Sequence, residues 1–487
     1  MNPLPISGAR QIPIHIVLSR TSTPANRRDG FLAQLGIWMR DHRFAIQALQ
    51  WVIVGVYTFL LIVPAYLPLP DETAHLWNNL TVVAQFAFWG IWWPFVLISM
   101  VLMGRVWCGV MCPEGALSEL ASRYSLNLPI PRWMRWNGWP VVGFTGLTVY
   151  GQMISVYQYP QAALLLLGGS TVAAIAVGLV YAQNRRVWCR YLCPVTGVFG
   201  LLVKLAPVHF RTDEAAWKSS TSAAGAASRS SSVVCAPLLQ LSKLESASSC
   251  HNCGRCADYR GAISLSSRPF SEEIVMHGAK SATGWQALLL LGGVIGLAMG
   301  AFHWSVSPWF ITTKQWAAEW LINREITWPL ETNAPWWIFT NYPDNNDVFS
   351  WLDGGLLLSY ILSTALVLGS GLAALLYGAA WSLRTGRTRQ TFFHLSQSLI
   401  PLAGCGVFLG LFAQTITLLR ADGFALEWIS PMRMTLLGLS TLWSLSLGNR
   451  IARQYAATRS GRLVTIAALA LACGAVDFGW ALMFWIW

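Results

Sequence analysis

Eight cysteines are spaced in patterns that suit a metal centre. Two CxxxCP motifs carry the pairs Cys108/Cys112 and Cys189/Cys193, and a third group contains the run CHNCGRC at residues 250–256. Thiolates are the soft ligands that zinc and iron–sulfur clusters use in proteins. The cysteine pattern therefore predicts metal binding before any other property of the chain is considered.

The two CxxxCP motifs belong to an internal repeat. RVWC at residues 105–108 recurs at 186–189, and each copy continues to a Cys-Pro pair and a glycine. Parallel repeats about an axis normal to a membrane would bring the two loops face to face. Their four thiolates form the Cys₄ set of a [4Fe–4S] cluster, and a nearby arginine from each copy, Arg105 and Arg186, could offset its negative charge. The first predicted cluster is held by Cys108, Cys112, Cys189 and Cys193.

Two plainer interpretations of these motifs stay open. A zinc site could use four cysteines equally well, and buried thiols beside a proline often serve only as small apolar residues. A near-exact repeat at matching depth favours the iron–sulfur interpretation. Pro113, which follows Cys112, suits the first turn of a helix because it has no backbone N–H to leave unpaired there.

The run CHNCGRC has the CxxCxxC spacing of bacterial ferredoxins, in which one loop supplies three ligands to one cluster. The fourth ligand departs from that pattern, since ADYR at 257–260 stands where xxxCP is expected. Cys235 is the remaining candidate, so the second predicted cluster is held by Cys235, Cys250, Cys253 and Cys256. His251 is an alternative ligand, but its place between two cysteines favours a solvated loop residue. The Ser/Ala-rich stretch 218–228 predicts a flexible tether for this unit.

The elements that must position these motifs are predicted to be membrane helices. The chain is 54% hydrophobic and 11% charged, with 27 tryptophans among 487 residues, which a soluble fold of this size could not hide. Apolar runs near 20 residues give nine candidate spans. They are 44–66, 82–103, 138–157, 162–182, 285–303, 355–381, 393–418, 434–448 and 464–487.

Charge predicts the orientation of these spans. If the N-terminus is cytoplasmic, 29 of the 33 Lys and Arg residues fall in the N-terminal arm or in inner loops, as the positive-inside rule requires. We therefore expect a bacterial inner-membrane protein with its C-terminus in the periplasm. The net charge of +12 reports this orientation and does not predict a nucleic-acid partner. The cysteine groups fall on the cytoplasmic side and the outer loops contain none, so ligands are favoured over disulfides.

The predicted fold class is an all-α polytopic membrane protein with a small cytoplasmic ferredoxin-like insertion. Six segments follow from this prediction. They are a cytoplasmic arm (1–43), a four-helix repeat unit with both CxxxCP loops (44–205), a linker and cluster segment (206–283), one transmembrane helix (284–303), a Trp-rich periplasmic segment (304–353) and a four-helix C-terminal unit (354–487).

The motifs RVWCGVMCPEGALSE, RVWCRYLCPVTGVFG and CHNCGRC resemble the membrane polyferredoxins of the NapH/NosR/CcoG type over about residues 40–280. Within that group, CHNCGRCADYRGAISL, the first pair of spans and NYPDNNDVFSWLDG look most like FtrD, the 4Fe-4S component of FtrABCD-type ferrous-iron uptake systems. The resemblance implies electron exchange with a periplasmic cupredoxin-like or iron-binding protein and work beside an iron permease. Composition and spacing by themselves do not indicate iron transport.

Other polar groups within the spans are weaker candidates. Asp477 lies in the last span, where a carboxyl group usually faces a partner or a water path, so it is a candidate proton or quinone site; a hydrogen bond to a neighbouring helix is the alternative. His303 and His394 are expected at opposite membrane faces and cannot ligate one haem, so haem is not predicted. Cys405 and Cys473 are expected to be small packing residues.

Three functions are compatible with these features. The first is electron transfer with a periplasmic redox partner in ferrous-iron uptake, the second is quinol oxidation feeding a periplasmic reductase, and the third is a metal-handling or assembly role. Hydrolase, ATPase and nicotinamide-dehydrogenase functions lack their motifs, because no phosphate-cradling GxxxxGK[ST] or GxGxxG fingerprint occurs. We therefore expect an electron-transfer component rather than a stand-alone enzyme.

Overall fold

A computed structural model describes residues 30–71, 73–223 and 233–487. The described chain is helical apart from two short antiparallel sheets, Val208–Thr212 with Ile263–Ser267 and Asn341–Tyr342 with Asp347–Val348. This agrees with the predicted all-α class. Most of the N-terminal arm and residues 224–228 of the predicted tether lie outside the described residues.

Seven helices in the described ranges are long and apolar enough to cross a membrane. Backbone polar groups must be satisfied internally in lipid, which a continuous helix achieves. These helices are Arg43–Tyr66, Leu80–Met103, Pro160–Val180, Gly284–His303, Trp351–Ser382, Thr388–Ala421 and Arg459–Ile486.

Two more helices occupy the positions of the third and eighth predicted spans. Trp139–Met153 has only 15 residues, but it begins beside Pro194 and its last carbonyl accepts a hydrogen bond from Thr340 N at 2.9 Å. Helix Ile429–Tyr455 begins near Trp485, which donates a hydrogen bond to Ser430. Near its other end, Gln454 donates to the carbonyl of Val275 at 2.9 Å. Each helix therefore joins opposite ends of the bundle, while the count of nine spans stays a prediction.

The shorter helices cap the bundle at its two ends. They are Phe31–Asp41, Pro113–Arg123, Val187–Tyr191, Thr196–Leu205, Glu214–Ala223, Glu272–Ser281 and Pro308–Ile322, with a π-helical turn at Trp107–Met111.

The basic loops gather at one end of the bundle, the end that carries the cysteine motifs. Arg40 donates to the carbonyl of Ala257 at 3.2 Å, and Gln390 donates to the carbonyl of Ala282 at 3.0 Å. Gln454 reaches the same region through Val275. The arm, the cysteine loops and the two basic loops of the C-terminal unit thus share one face, which is the arrangement that the positive-inside pattern predicts.

The Trp-rich segment 304–353 lies at the opposite end. The hydroxyl of Tyr159 donates to Asp347 at 2.7 Å, and the hydroxyls of Ser155 and Thr340 are 2.7 Å apart. Asp353 caps helix Trp351–Ser382 in a reciprocal arrangement with Ser350 and pairs with Lys314 at 2.5 Å. Two of the acidic side chains in this segment therefore have structural partners.

Segment 206–283 is docked onto the membrane unit, which differs from the predicted mobile tether. Residues 218–223 complete helix Glu214–Ala223 rather than forming a coil. The two-stranded sheet supports a small apolar core with Phe210, Leu244 and Ile263, and Asn252 donates to the carbonyl of Met103 at 3.0 Å. Compositional bias reports a lack of apolar bulk, but it does not report contacts that other parts of the chain provide.

Candidate metal centre

The first CxxxCP motif is shaped by the end of helix Leu80–Met103. Gly104 stops the helix with a positive φ of 70°, a conformation that glycine adopts without steric cost. The π-helical turn Trp107–Met111 follows, and Cys112 is the N-cap of helix Pro113–Arg123, its sulfur accepting from Gly115 N at 3.4 Å. The prediction that Pro113 occupies the first helical turn is confirmed.

The second motif has a related but not identical backbone. Its first cysteine lies in the short helix Val187–Tyr191, and the next helix begins at Thr196, two residues after Pro194. The Thr196 hydroxyl donates to the carbonyl of Cys189 at 3.0 Å, which ties the start of that helix to the motif. The two copies of the repeat therefore agree in the spacing of their cysteines, but they differ in the helical turns that carry them.

Both motifs open into one cavity of about 90 Å³. This is several times the roughly 10–15 Å³ that one ordered water needs. Aromatic side chains form much of the remaining wall, including Trp92 and Trp93 of helix Leu80–Met103 and Trp107 of the π-helical turn. The four cysteines in its lining are Cys108, Cys112, Cys189 and Cys193. The structure thus brings together the four residues of the first predicted cluster, and we call this space the four-cysteine cavity.

The arginine of each repeat copy reaches across to the other copy. Arg105 donates to the carbonyl oxygen of Thr196, and Arg186 donates to the carbonyl oxygen of Cys108 at 2.5 Å. Both guanidinium groups are buried. Each guanidinium is close enough for its charge to act on a CxxxCP cysteine and on a CxxCxxC cysteine. For Arg105 these are Cys189 and Cys250. For Arg186 they are Cys189 and Cys253. Positive charge is therefore held between the two groups.

Burial controls the protonation of the four cysteines. It raises the pKa of every thiol in this set, and that of Cys189 to about 12. A thiol with such a pKa stays neutral near pH 7 unless a metal replaces its proton. Burial also raises the pKa of the Glu114 carboxyl, which lies in the cavity wall and accepts from Trp188 Nε1 at 3.2 Å. The chain therefore offers a dry site whose ligands deprotonate on metal binding.

The CxxCxxC loop gathers the second set of cysteines. Asn252 and Gly254 have positive φ values of 47° and 76°, so the backbone turns tightly between the thiols. Cys235 is close enough for its charge to act on Cys250 and Cys256. Arg185 donates to the carbonyl of Cys235 at 2.7 Å and holds this residue beside the second CxxxCP motif. The structure thus brings the predicted fourth ligand toward the other three.

The CxxCxxC loop lies directly against the first CxxxCP motif. A Cβ atom added to Gly109 would collide with the carbonyl of His251 and lie 3.0 Å from Cα of Cys253. Gly104 likewise leaves room for Asn252. His251 itself is only 2% exposed and lines the four-cysteine cavity. The prediction that His251 is a solvated loop residue is wrong, because the loop is covered by a part of the chain distant in sequence.

Two acidic residues that the sequence patterns did not single out position the cysteine groups. Glu119 pairs with Arg186 at 2.7 Å and with Arg255, inside the CxxCxxC run, at 2.6 Å. Glu273 is buried, pairs with Arg268 at 2.7 Å and accepts from Ala247 N at 3.0 Å. The sequence gives only one clue to Glu119: it lies six residues after Pro113 in the helix that follows the first CxxxCP motif.

The remaining candidates lie away from this centre. Asp477 accepts from Thr441 at 2.7 Å on a neighbouring helix and does not line the four-cysteine cavity. His394 contacts the carbonyl of Ile274 at the cysteine end, and His303 contacts Trp487 at the other end. Cys405 and Cys473 lie in separate membrane helices. The proton or quinone role of Asp477 stays a prediction.

All ten cysteines are free of disulfide bonds. Within the described ranges, no three His, Cys, Asp or Glu side chains come together in a group that could hold a single metal ion. The thiols line a cavity instead, and these residues could hold a cluster of several irons. The donor set of four thiols, the two buried arginines and the cavity between them fit a [4Fe–4S] cluster.

Comparison with known families identifies the repeat independently. Residues 85–131 and 165–212 each match the 4Fe-4S binding domain family. The first match contains Cys108 and Cys112, and the second contains Cys189 and Cys193. The same domain description thus applies to both copies, while the CxxCxxC run lies outside both matches.

Several curated proteins are similar to parts of this chain. The putative electron transport protein YccM of Escherichia coli is 26% identical over 43% of this chain and 64% of its own length. The regulatory protein NosR of Pseudomonas aeruginosa is 30% identical over 23% of this chain and 19% of its own length. The methylamine utilization ferredoxin-type protein MauN of Methylorubrum extorquens is 28% identical over 36% of this chain and 60% of its own length.

The chain spans less than two thirds of each of these relatives. No solved structure matches it. The domain matches, these relatives and the seven apolar helices together support a membrane ferredoxin-type electron-transport family.

Proposed function

We propose that this chain is an integral membrane electron-transfer protein that holds two [4Fe–4S] clusters. One observation carries the proposal: four cysteines from two repeat copies converge on one cavity, and the CxxCxxC loop lies against the wall of that cavity. The match of each copy to a 4Fe-4S binding domain supports the same assignment. When bound, such clusters supply one-electron chemistry.

Each proposed cluster site has its own set of cysteine ligands, and the two sites share nearby arginines. The first set of thiolates, Cys108, Cys112, Cys189 and Cys193, would hold one cluster, and Cys235, Cys250, Cys253 and Cys256 would hold the other. Arg105 and Arg186 lower the cost of adding electrons, because their buried positive charges act on both sets. The aromatic wall of the cavity excludes water, which also influences the potential.

The proposed location is the bacterial inner membrane with the cysteine end in the cytoplasm. Support comes from the basic loops, which share the cysteine end of the bundle. In this orientation the N-terminus is cytoplasmic, the C-terminus periplasmic and both cluster sites face the reducing compartment, where free thiols persist.

We further propose that the outer segment docks a periplasmic cupredoxin-like or iron-binding protein with which the chain exchanges electrons, beside an iron permease, in ferrous-iron uptake. The outer face presents exposed Trp309, Trp316 and Trp328, and exposed tryptophans are common anchors of protein interfaces. Asp344 is also exposed there and is not bound to another side chain among the described residues. A cationic or metal-loaded partner would be steered toward this face.

A second function, quinol oxidation feeding a periplasmic reductase, is favoured by a second apolar cavity. This space of about 110 Å³ shares Trp93, Leu147 and Phe199 with the four-cysteine cavity and extends to Tyr157 near the outer end. A quinol ring could enter such a space and pass one electron to each cluster, leaving a quinone and releasing two protons. The cavity would then provide the transmembrane connection that the cysteine sites lack.

The two functions are separated by anaerobic reduction of the purified protein in lipid vesicles. Quinol oxidation predicts that a quinol bleaches the cluster absorbance and that Leu147→Trp, which fills the shared wall, slows the bleaching. Val142→Trp on the same helix is a control, because Val142 is exposed on the surface of the bundle and does not line the shared wall. Dithionite should reduce all three proteins equally. Clusters that dithionite reduces but quinol does not would reject quinol oxidation and leave exchange with a periplasmic protein.

The shared claim, two clusters in these cysteine sets, is tested by serine variants. Cys193→Ser should lose the EPR signal of one cluster, Cys253→Ser that of the other, and Cys405→Ser neither. Loss of both signals or of no signal in the first two variants would contradict the assignment.

A further inference from the structure

His251 belongs to one cysteine set by sequence and to the other by position. It lies between Cys250 and Cys253 in the CxxCxxC run. The residue nevertheless lines the four-cysteine cavity together with Cys108, Cys112, Cys189 and Cys193. The backbone contact between its carbonyl and Gly109 fixes it there. The loop that presents the second set of ligands thus also closes the cavity of the first set.

The side chain of His251, a residue that lines this cavity, has an unused polar group. It is 2% exposed, and its Nδ1 atom has no hydrogen-bond partner within the described part of the chain. Leaving a buried polar group unpaired is unfavourable. Such a cost is usually offset by an acceptor, and thiolates and sulfides at the centre of the cavity would be acceptors.

We propose that His251 donates a hydrogen bond to the cluster held by Cys108, Cys112, Cys189 and Cys193, so that the second ligand loop sets the potential of the first cluster. This inference rests on the proposed function, because it requires the first cluster to be present. His251 acts here as a positioning and tuning residue and not as a ligand. The first site is therefore incomplete until the CxxCxxC loop has docked.

The expected direction follows from charge. Reduction adds negative charge to the cluster, and hydrogen bonds to its sulfurs stabilise that charge. Loss of the donor should therefore make the first cluster harder to reduce. A tenfold loss in the equilibrium constant of a one-electron reduction corresponds to about 59 mV. A shift of this order, confined to one of the two clusters, is the signature that we expect.

The chain offers a matched control for this experiment. His303 is also buried, and its Nε2 atom likewise lacks a hydrogen-bond partner among the described residues. It contacts Trp480 and Trp487 at the opposite end of the bundle. His303→Leu therefore removes a buried imidazole of the same kind without touching either cysteine set.

The test is a redox titration of anaerobically purified full-length protein in detergent, followed by EPR. His251→Leu should lower the midpoint potential of the first cluster by about 59 mV, which corresponds to a tenfold loss in the equilibrium constant for reduction. The midpoint potential of the second cluster should stay nearly unchanged. His251→Asn restores a donor near the position of Nδ1 and should recover most of the shift. Serine variants of Cys193 and Cys253 assign each signal to its cluster.

Each other outcome has a distinct meaning. Two intact clusters with unchanged midpoints in His251→Leu would overturn this inference while leaving the proposed function standing. Equal shifts in His251→Leu and His303→Leu would also overturn it, because the effect would then be general. A shift of the second cluster alone would assign His251 to its own loop. Wild-type protein without any cubane signal would overturn the proposed function and the inference together.

Discussion

Arg186 donates a 2.5 Å hydrogen bond to the carbonyl oxygen of Cys108, across the two copies of the internal repeat. The same guanidinium is 1% exposed and pairs with Glu119, which in turn pairs with Arg255 of the CxxCxxC loop. One arginine therefore connects the backbone of the first motif, the second motif and, through a carboxylate, the second ligand loop. Three stretches of chain that are distant in sequence meet at this residue.

The first prediction concerns this connection. Arg186→Leu should destabilise the cysteine end by roughly 3 kcal/mol, because it leaves a buried carboxylate with one partner fewer. Burial raises the pKa of Glu119, but the charges of Arg186 and Arg255 outweigh it and hold the pKa below its usual range. The iron content should fall by at least half. Arg389→Leu, at the start of helix Thr388–Ala421 at the same end, is the control and should retain full iron content; equal iron loss in both would contradict this role.

The second prediction concerns the contact between the two cysteine groups. Gly109→Ala places a methyl group against the backbone of His251 and Cys253, where overpacking costs about 1–3 kcal/mol. We expect the CxxCxxC loop to shift and the EPR signal of the second cluster to weaken or broaden. Gly146→Ala, whose added methyl group meets no atom within 4 Å, should change neither cluster. An unperturbed second signal in Gly109→Ala would show that the loop is not held by this contact.

The third prediction concerns Glu273 and acid stability. Burial raises the pKa of Glu273, but Arg268 and hydrogen bonds from Ser246 and Ala247 N outweigh it, so the pKa is lowered in the folded chain. Its stabilising contribution is thus complete above about pH 4.5, the ordinary value, and is lost as the pH falls through the lower folded pKa.

Glu273→Gln should therefore lower the thermal midpoint near neutral pH, with a loss of roughly 3 kcal/mol because Arg268 stays buried without its partner. The difference between variant and wild type should begin to shrink below about pH 4.5, where Glu273 of the unfolded wild type takes up a proton, and should be lost as the pH falls through the lower folded pKa. Thermal melts across this pH range provide the measurement. A difference that stays constant with pH would mean that the Glu273 charge is not responsible.

The fourth prediction concerns the fourth ligand of the second cluster. Cys235→Ser should convert the second cluster to a three-cysteine form with altered EPR and lower iron retention, because the xxxCP ligand of ferredoxins is absent after Cys256. Cys473→Ser, which removes a buried thiol from a membrane helix, should have no such effect. A normal second signal in Cys235→Ser would require another residue to complete the set.

The meeting of the four CxxxCP cysteines could be predicted from the sequence, because two copies of one hairpin about a common axis must face each other. The membrane helices could be predicted for the same kind of local reason, since lipid selects long apolar runs. The shorter helix Trp139–Met153 shows the limit of this reasoning, as its length alone would not identify a span.

Docking of the CxxCxxC loop could not be predicted in this way. The Ser/Ala-rich stretch predicted a mobile unit, and His251 was expected in solvent. Burial of His251, Asn252 and Glu273 depends on contacts with Gly109, Met103 and Arg268, which are tertiary and leave no periodic signal. Glycines at 104 and 109 were the available clue, because each allows a close backbone approach.

The central claim is that eight cysteines hold two [4Fe–4S] clusters at one end of a membrane bundle. Anaerobic purification of the full chain, followed by iron, acid-labile sulfide and zinc analysis with EPR of the reduced protein, tests it most directly. About eight iron and eight sulfide per chain, four of each per cluster, and two cubane signals are expected. Colourless protein with stoichiometric zinc and no sulfide would contradict it.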